Sequence, residues 1–263
     1  MPYRIDLPHP PHDALDTLLA LGALDVEVID DGLAAILPDA VSYQEVRGAL
    51  GGADYRVSAA RGRDDGSVWI LRPRPFQVGG LRVAPATIEP GPSTLRLHDT
   101  DAFGTGLHPT TALCIESIEA ALPLVGTAGV LDVGVGSGVL ALAALLFGVA
   151  RAVGVDVDRS ALDVAGANAV LNGLSDRLTL VHGGPDLVSE AFPLVLANVL
   201  PAPLIDLAPT LVRRVGHHGR LVLSGVPVSI APDVERTYVR LGMRRAGVDQ
   251  RDGWSSITLD ASW

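Results

Sequence analysis

Two rhythms of apolar and polar positions divide the chain. Residues 3–7, Tyr-Arg-Ile-Asp-Leu, alternate with period two and predict a strand. Between 13 and 21, apolar residues at 15, 18, 19 and 21 share one helical face. Residues 25–29 alternate again, and Asp30-Asp31-Gly32 is a hairpin signal leading into an apolar strand over 33–37. Ser42 with Glu45 three residues on forms a capping box for a helix running to Leu50. Gly51-Gly52 ends that helix, and residues 55–59 predict a last strand. The order β-α-β-β-α-β is the split βαβ, or ferredoxin-like, unit.

Residues 61–92 are rich in Arg, Gly and Pro, with breakers at Pro73, Pro75, Pro85, Pro90 and Pro92, and read as a linker or irregular ribbon. From about 94 onward, strands and helices alternate. Strands are predicted over 130–133, 152–156, 178–181, 194–197 and 220–224, with helices over 138–148, 160–171 and 203–213. Two more strands surround Gly253 between 243 and 259. Such alternation predicts an α/β fold, a mostly parallel sheet with helices on both faces. The predicted organisation is a small α+β domain over 1–60, a linker over 61–92 and a Rossmann-like domain over 93–263. The longest apolar run, 139–150, falls short of the roughly 20 residues of a membrane span and reads as a buried helix.

Composition narrows the function. With 48% hydrophobic and 19% charged residues, the chain can bury a core, which excludes wholesale disorder. A net charge of −10 argues against direct nucleic-acid binding. All 20 basic residues are Arg, so the chain has no lysine ε-amine of its own. A single cysteine, Cys114, excludes an internal disulfide and any Cys-rich zinc site. The start, Met-Pro-Tyr-Arg-Ile-Asp, lacks the apolar core of a signal peptide, so a cytoplasmic protein without membrane attachment is expected.

The strongest chemical signal is Leu131-Asp132-Val133-Gly134-Val135-Gly136-Ser137-Gly138, a strand entering a glycine-rich turn that opens a helix. Glycines let the backbone approach a ligand, and a helix start presents free N–H groups. The dinucleotide fingerprint needs a glycine where this chain has Val139, which disfavours NAD. Asp156 ends the next strand, 22 positions after Gly134, where a carboxylate can accept from a ribose diol; Asp158 reads as a helix cap. Asn198 follows a later strand, at the carboxyl edge where open α/β sheets bind ligands. Its amide can orient an amine, or it can cap the next helix. Before another helix stands Phe103-Gly104-Thr105-Gly106-Leu107-His108-Pro109-Thr110-Thr111, in which Thr110 or Thr111 could cap.

Together, Phe-Gly-Thr-Gly-x-His-Pro-Thr-Thr, the Asp132–Gly138 loop, Ala197-Asn198-Val199-Leu200 and Leu223-Ser224-Gly225 resemble the PrmA family, methyltransferases of the eleventh protein of the large ribosomal subunit. Three places depart from the family pattern: 97–101 lacks its Asp-Pro-Gly, Val135 replaces a Cys, and Pro193 replaces an Asp. The resemblance implies S-adenosylmethionine as cofactor, and lysine ε-amines and the N-terminal α-amine of a ribosomal protein as acceptors. It implies that the leading domain recognises the substrate and the trailing domain carries the chemistry. Carried over by position, the cofactor contacts are Thr111, Gly134, Asp156 and Asn198, with Phe103, Gly104, Gly106, Gly136 and Gly138 lining the same pocket. Asn198 is the expected catalytic residue, with Asp101 and His108 nearby. No metal is implied. The rival readings are a class I methyltransferase of another protein lysine or small amine, and a non-catalytic cofactor-binding module of ribosome assembly.

Overall fold

The structure is a computed structural model describing residues 2–29, 32–60, 75–98, 109–251 and 253–263. The chain forms two compact units, Met1–Pro73 and Arg74–Trp263.

In the first unit, the strands are β1 (Tyr3–Leu7), β2 (Asp25–Ile29), β3 (Gly32–Leu37) and β4 (Arg56–Ala59), and the helices are α1 (Ala14–Ala20) and α2 (Tyr43–Ala49). The sheet order is β2-β3-β1-β4 with every pairing antiparallel. That is the topology of the split βαβ unit. The alternation of β1 places Tyr3, Ile5 and Leu7 in an apolar core with Leu18 and Val46. The capping box forms: the Glu45 amide donates to Ser42 Oγ at 3.2 Å, and the Ser42 amide donates to Glu45 Oε2 at 2.7 Å.

The second unit opens with β5 (Phe76–Val78), β6 (Leu81–Pro85) and β7 (Thr94–Leu97), a three-stranded sheet in which β6 and β7 run parallel. The stretch expected as a linker is therefore regular structure in its described part, and residues 61–74 lie outside the described residues. The prolines that suggested a ribbon sit beside the strands: Pro75 precedes β5, Pro85 closes β6, and Pro90 and Pro92 lie between β6 and β7. Leu81 and Leu95 are fully buried in the same apolar cluster as the following helices. Glu119 ties this sheet down by accepting from the Gly80 amide at 3.1 Å.

Next come α3 (Pro109–Val125), β8 (Val130–Val133), α4 (Val139–Leu146), β9 (Ala152–Asp156), α5 (Arg159–Leu171), β10 (Leu178–His182), β11 (Phe192–Asn198), α6 (Pro201–Arg214), β12 (Val215–Pro227), α7 (Ala231–Arg240), β13 (Arg244–Arg251) and β14 (Trp254–Asp260). The seven-stranded sheet runs β10-β9-β8-β11-β12-β14-β13, parallel from β10 to β12, with β14 antiparallel to both neighbours. The strand pleat divides the core in two. Val130, Leu194, Leu196 and Val222 pack with α3, α4 and α5, whereas Leu131, Val133, Val195, Leu221 and Leu223 pack with α6 and α7. All of 139–145 in α4 is buried, which explains its uniformly apolar sequence. Among the described residues, no helix is long and apolar enough to cross a membrane.

Candidate cofactor-binding and active site

Three turns meet at the carboxyl edge of the sheet. The first is the glycine loop between β8 and α4. Gly134, Gly136 and Gly138 all take positive φ, at 73°, 53° and 83°, backbone angles that favour glycine. The loop is tied to β9, because the Gly134 and Val135 amides donate to Val155 O at 2.9 and 3.0 Å.

Asp132 explains the acid that precedes the loop. Gly138, the residue before α4, supplies no side-chain cap. Asp132 Oδ2 instead accepts from the Ala141 amide at 3.0 Å, reaching the first turn of α4 from the preceding strand. Its Oδ1 is buried without a hydrogen-bond partner among the described residues. Burial pushes this carboxyl up to about 7; the Ala141 amide opposes the shift and the Asp156 charge adds to it. The folded-state value is raised, so the contribution to stability is complete at acid pH and is lost as the unfolded chain ionises above about pH 4, levelling near pH 7. Asp132→Asn cannot ionise. Its stability should fall less steeply from pH 4.5 to 7, the slope differing by up to about 1.4 kcal/mol per pH unit. Urea unfolding at several pH values measures this, and parallel slopes for the two proteins would count against it.

The second turn follows β9. Asp156 Oδ2 accepts from the Gly136 amide at 2.9 Å, and its Oδ1 accepts from the Asp158 amide at 3.0 Å. The carboxylate thus braces the glycine loop. Asp158 caps α5, accepting from the Ser160 amide at 2.8 Å. His182, at the end of β10, donates from Nε2 to Val157 O at 3.0 Å and holds the same turn from the other side. Val157, just after β9, and Leu187, in the short helical turn that follows β10, are exposed apolar side chains that no sequence pattern marks.

The third turn carries Asn198, the last residue of β11, paired in register with Ser224 of β12. Asn198 is 8% exposed, yet among the described residues nothing donates to its Oδ1. The helix-cap alternative fails here: α6 starts at Pro201, its N-cap is Leu200, and no side chain caps it. The turn lies against the glycine loop, since a Cβ on Gly134 would stand 2.4 Å from Val199 Cγ1. Gly225, at φ 80°, lets β12 pass close behind, where a Cβ would meet Val199 O at 2.4 Å.

α3 approaches from the same side, with Thr110 O accepting from Ser224 Oγ at 3.4 Å. Thr110 and Thr111 lie inside the first turn of α3 rather than before it, so neither is its N-cap residue. Thr111 is fully buried, and its hydroxyl has no partner among the described residues. Ser224 also hydrogen-bonds the Cys114 thiol, whose pKa burial pushes up to about 12, leaving an inert sulfur. The structure thus brings Gly134, Gly136, Gly138, Asp156 and Asn198 to one edge, with the Thr111 turn of α3 reaching it through Ser224. Asp101, Phe103, Gly104, Gly106 and His108 lie outside the described residues.

The family model described as Ribosomal protein L11 methyltransferase (PrmA) matches residues 42–262. The ribosomal protein L11 methyltransferase of Azotobacter vinelandii is 38% identical over 78% of this chain and 70% of its own length. The relative of the same description from Methylococcus capsulatus is 35% identical over 92% of each chain. A crystal structure of ribosomal protein L11 methylase from Lactobacillus delbrueckii subsp. bulgaricus matches 72% of this chain and 100% of its own, with a TM-score of 0.66 and 27% identity. With a glycine loop braced by a strand-end carboxylate and an asparagine at one sheet edge, and with a family model matched from residue 42 almost to the end, the chain belongs to the PrmA family of ribosomal protein L11 methyltransferases.

Proposed function

We propose that this chain transfers methyl groups from S-adenosylmethionine to amines of ribosomal protein L11, namely lysine ε-amines and the N-terminal α-amine. The observation that carries the reading is the juxtaposition of the glycine loop, Asp156 and the unpartnered Oδ1 of Asn198 at the carboxyl edge of a parallel sheet. The residues present fit the cofactor. An ionised carboxylate has about four acceptor sites, and Asp156 uses two on backbone amides, leaving room for a ribose diol. Two buried polar atoms, Thr111 Oγ1 and Asn198 Oδ1, have no hydrogen-bond partner among the described residues. The positive-φ glycines let the loop turn tightly against Val199 and Ala165 while its backbone stays at the sheet edge.

S-adenosylmethionine supplies, when bound, an electrophilic methyl on a sulfonium whose departure as a thioether needs no oxyanion hole. The chain's own task is therefore placement. Asn198 accepts an N–H of the incoming amine and aims the nitrogen lone pair, with the reacting atoms to be brought within about 3–3.5 Å. A lysine amine has a reference pKa of about 10.4 and reacts only when neutral. Apolar Val199 and Leu200, next along the same turn, make the charged ammonium costlier and favour that neutral form. The leading unit serves as the recognition module for the ribosomal protein, and the acidic net charge suits a basic partner.

The test is methyl transfer from isotopically labelled S-adenosylmethionine to purified ribosomal proteins, read by mass spectrometry. Label on L11 amines is the expected result. Label on another protein alone, or none with a folded enzyme, would overturn the reading.

A further inference from the structure

We propose that Asn168, on α5, is a positioning residue of the cofactor site, and that the donor half of its amide sets cofactor affinity by orienting the glycine loop. The inference rests on the cofactor reading above.

Asn168 is fully buried. Its Nδ2 donates to Ser137 O at 2.9 Å, and its Oδ1 accepts from the His98 amide at 2.8 Å. A carbonyl only accepts and a backbone N–H only donates, so both partners dictate the same amide orientation. One side chain therefore joins the glycine loop to the end of β7, segments far apart in sequence.

Asn172, the residue that caps the carboxyl end of α5 one turn further on, provides the comparison. Its Oδ1 accepts from the Arg96 amide at 2.9 Å, and its Nδ2 donates to Arg96 O at 2.7 Å. The two asparagines are four residues apart, a helical rise of about 6 Å, and they address amides two residues apart on a strand, about 6.6 Å. α5 thus grips β7 in register through both. Only Asn168 also reaches the loop.

The consequence for the cofactor lies in the peptide that Asn168 holds. Ser137 O is fixed by Asn168, while the Gly138 amide of the same peptide donates to Val135 O at 2.8 Å. The peptide is pinned from both ends just where the loop enters α4. Its tilt decides where the free amides at the start of α4 point, and those amides form the ligand-facing surface of such a turn. α5 also packs close behind, with Ala165 Cβ only 3.2 Å from where a Gly138 Cβ would stand.

Asn168→Asp separates the two bonds. The carboxylate still accepts from the His98 amide but sets an acceptor against Ser137 O. Titration calorimetry with S-adenosylmethionine on the full chain, below the melting temperature of each variant, should show N168D binding about tenfold weaker or worse. Asn172→Ala should bind within about threefold of wild type, because it loosens β7 without touching the loop. In steady state, N168D should raise KM for the cofactor and leave KM for the protein substrate unchanged. A purely structural tie predicts lowered melting temperatures for both variants with cofactor affinity intact, and that result overturns the inference. If N168D does not fold, Asn168→Ala takes its place, removing both bonds without adding charge, with the same expected ratio to Asn172→Ala. A wild-type chain that binds no cofactor overturns the cofactor reading, and this inference with it.

Discussion

Asp156→Ala is expected to weaken S-adenosylmethionine binding about 10- to 150-fold, the range of a lost hydrogen-bonded charge worth roughly 1.5–3 kcal/mol. The upper part of that range is favoured by what the carboxylate already does. Its Oδ2 holds the Gly136 amide and its Oδ1 the Asp158 amide, so truncation would remove the proposed ribose acceptor and slacken the glycine loop in one step. The half-exposed position and the independent ties from Gly134 and Val135 to Val155 O keep the domain folded. Asp156→Asn is the informative partner. One of its two positions becomes an NH₂, which must face a backbone N–H as donor against donor, so shape is kept while one brace is lost. Calorimetric affinities for both variants, with circular dichroism as the check on folding, make the comparison. Wild-type affinity in a folded Asp156→Ala protein would place the ribose elsewhere.

The central parallel strands were legible because they are buried on both faces. Val130–Val133 and Ala152–Asp156 are apolar runs bounded by glycine and charge, and α4 is apolar throughout because every side is covered. α7 was not legible. It buries only Ala231, Val234 and Tyr238 among charged neighbours, a pattern too sparse to read before the Tyr238 hydroxyl is seen donating to Leu204 O at 2.6 Å. The β5–β7 sheet was hidden by proline density, a signal that does not distinguish prolines inside a strand from prolines between strands. At the site, Asp156 and Asn198 announced themselves by standing where strands end. The cap made by Asp132 and the ties made by Asn168 did not. They depend on partners brought close only by the fold, 9, 31 and 70 positions away. Spacing rules reach a strand end and the turn after it, whereas long-range polar ties need the tertiary structure.

Asn198→Ala should cut the methylation rate about tenfold to a hundredfold, with a smaller loss of cofactor affinity. One orienting hydrogen bond in the transition state is worth roughly 1.5–3 kcal/mol when a charged group is involved. The position of the side chain suits the proposed role. It ends β11 opposite Ser224, it caps no helix, and its carbonyl is buried without a donor among the described residues. The β12 neighbour Gly225 leaves Val199 room for the tight turn, so the amide is held by backbone packing rather than by polar partners of its own carbonyl. Asn198→Asp separates the possible roles. A carboxylate still accepts from an amine but cannot donate, and its charge would favour the ammonium over the reactive neutral amine. The Asp variant should therefore be slow at neutral pH, with its rate–pH profile displaced to higher pH because the ammonium is harder to deprotonate. Had Asn198 been a helix cap, Asp would have replaced it without loss, since the two cap about equally well. Single-turnover rates across pH, set beside melting temperatures, decide the point: an Asn198→Asp enzyme with the wild-type rate and profile would remove Asn198 from the chemistry.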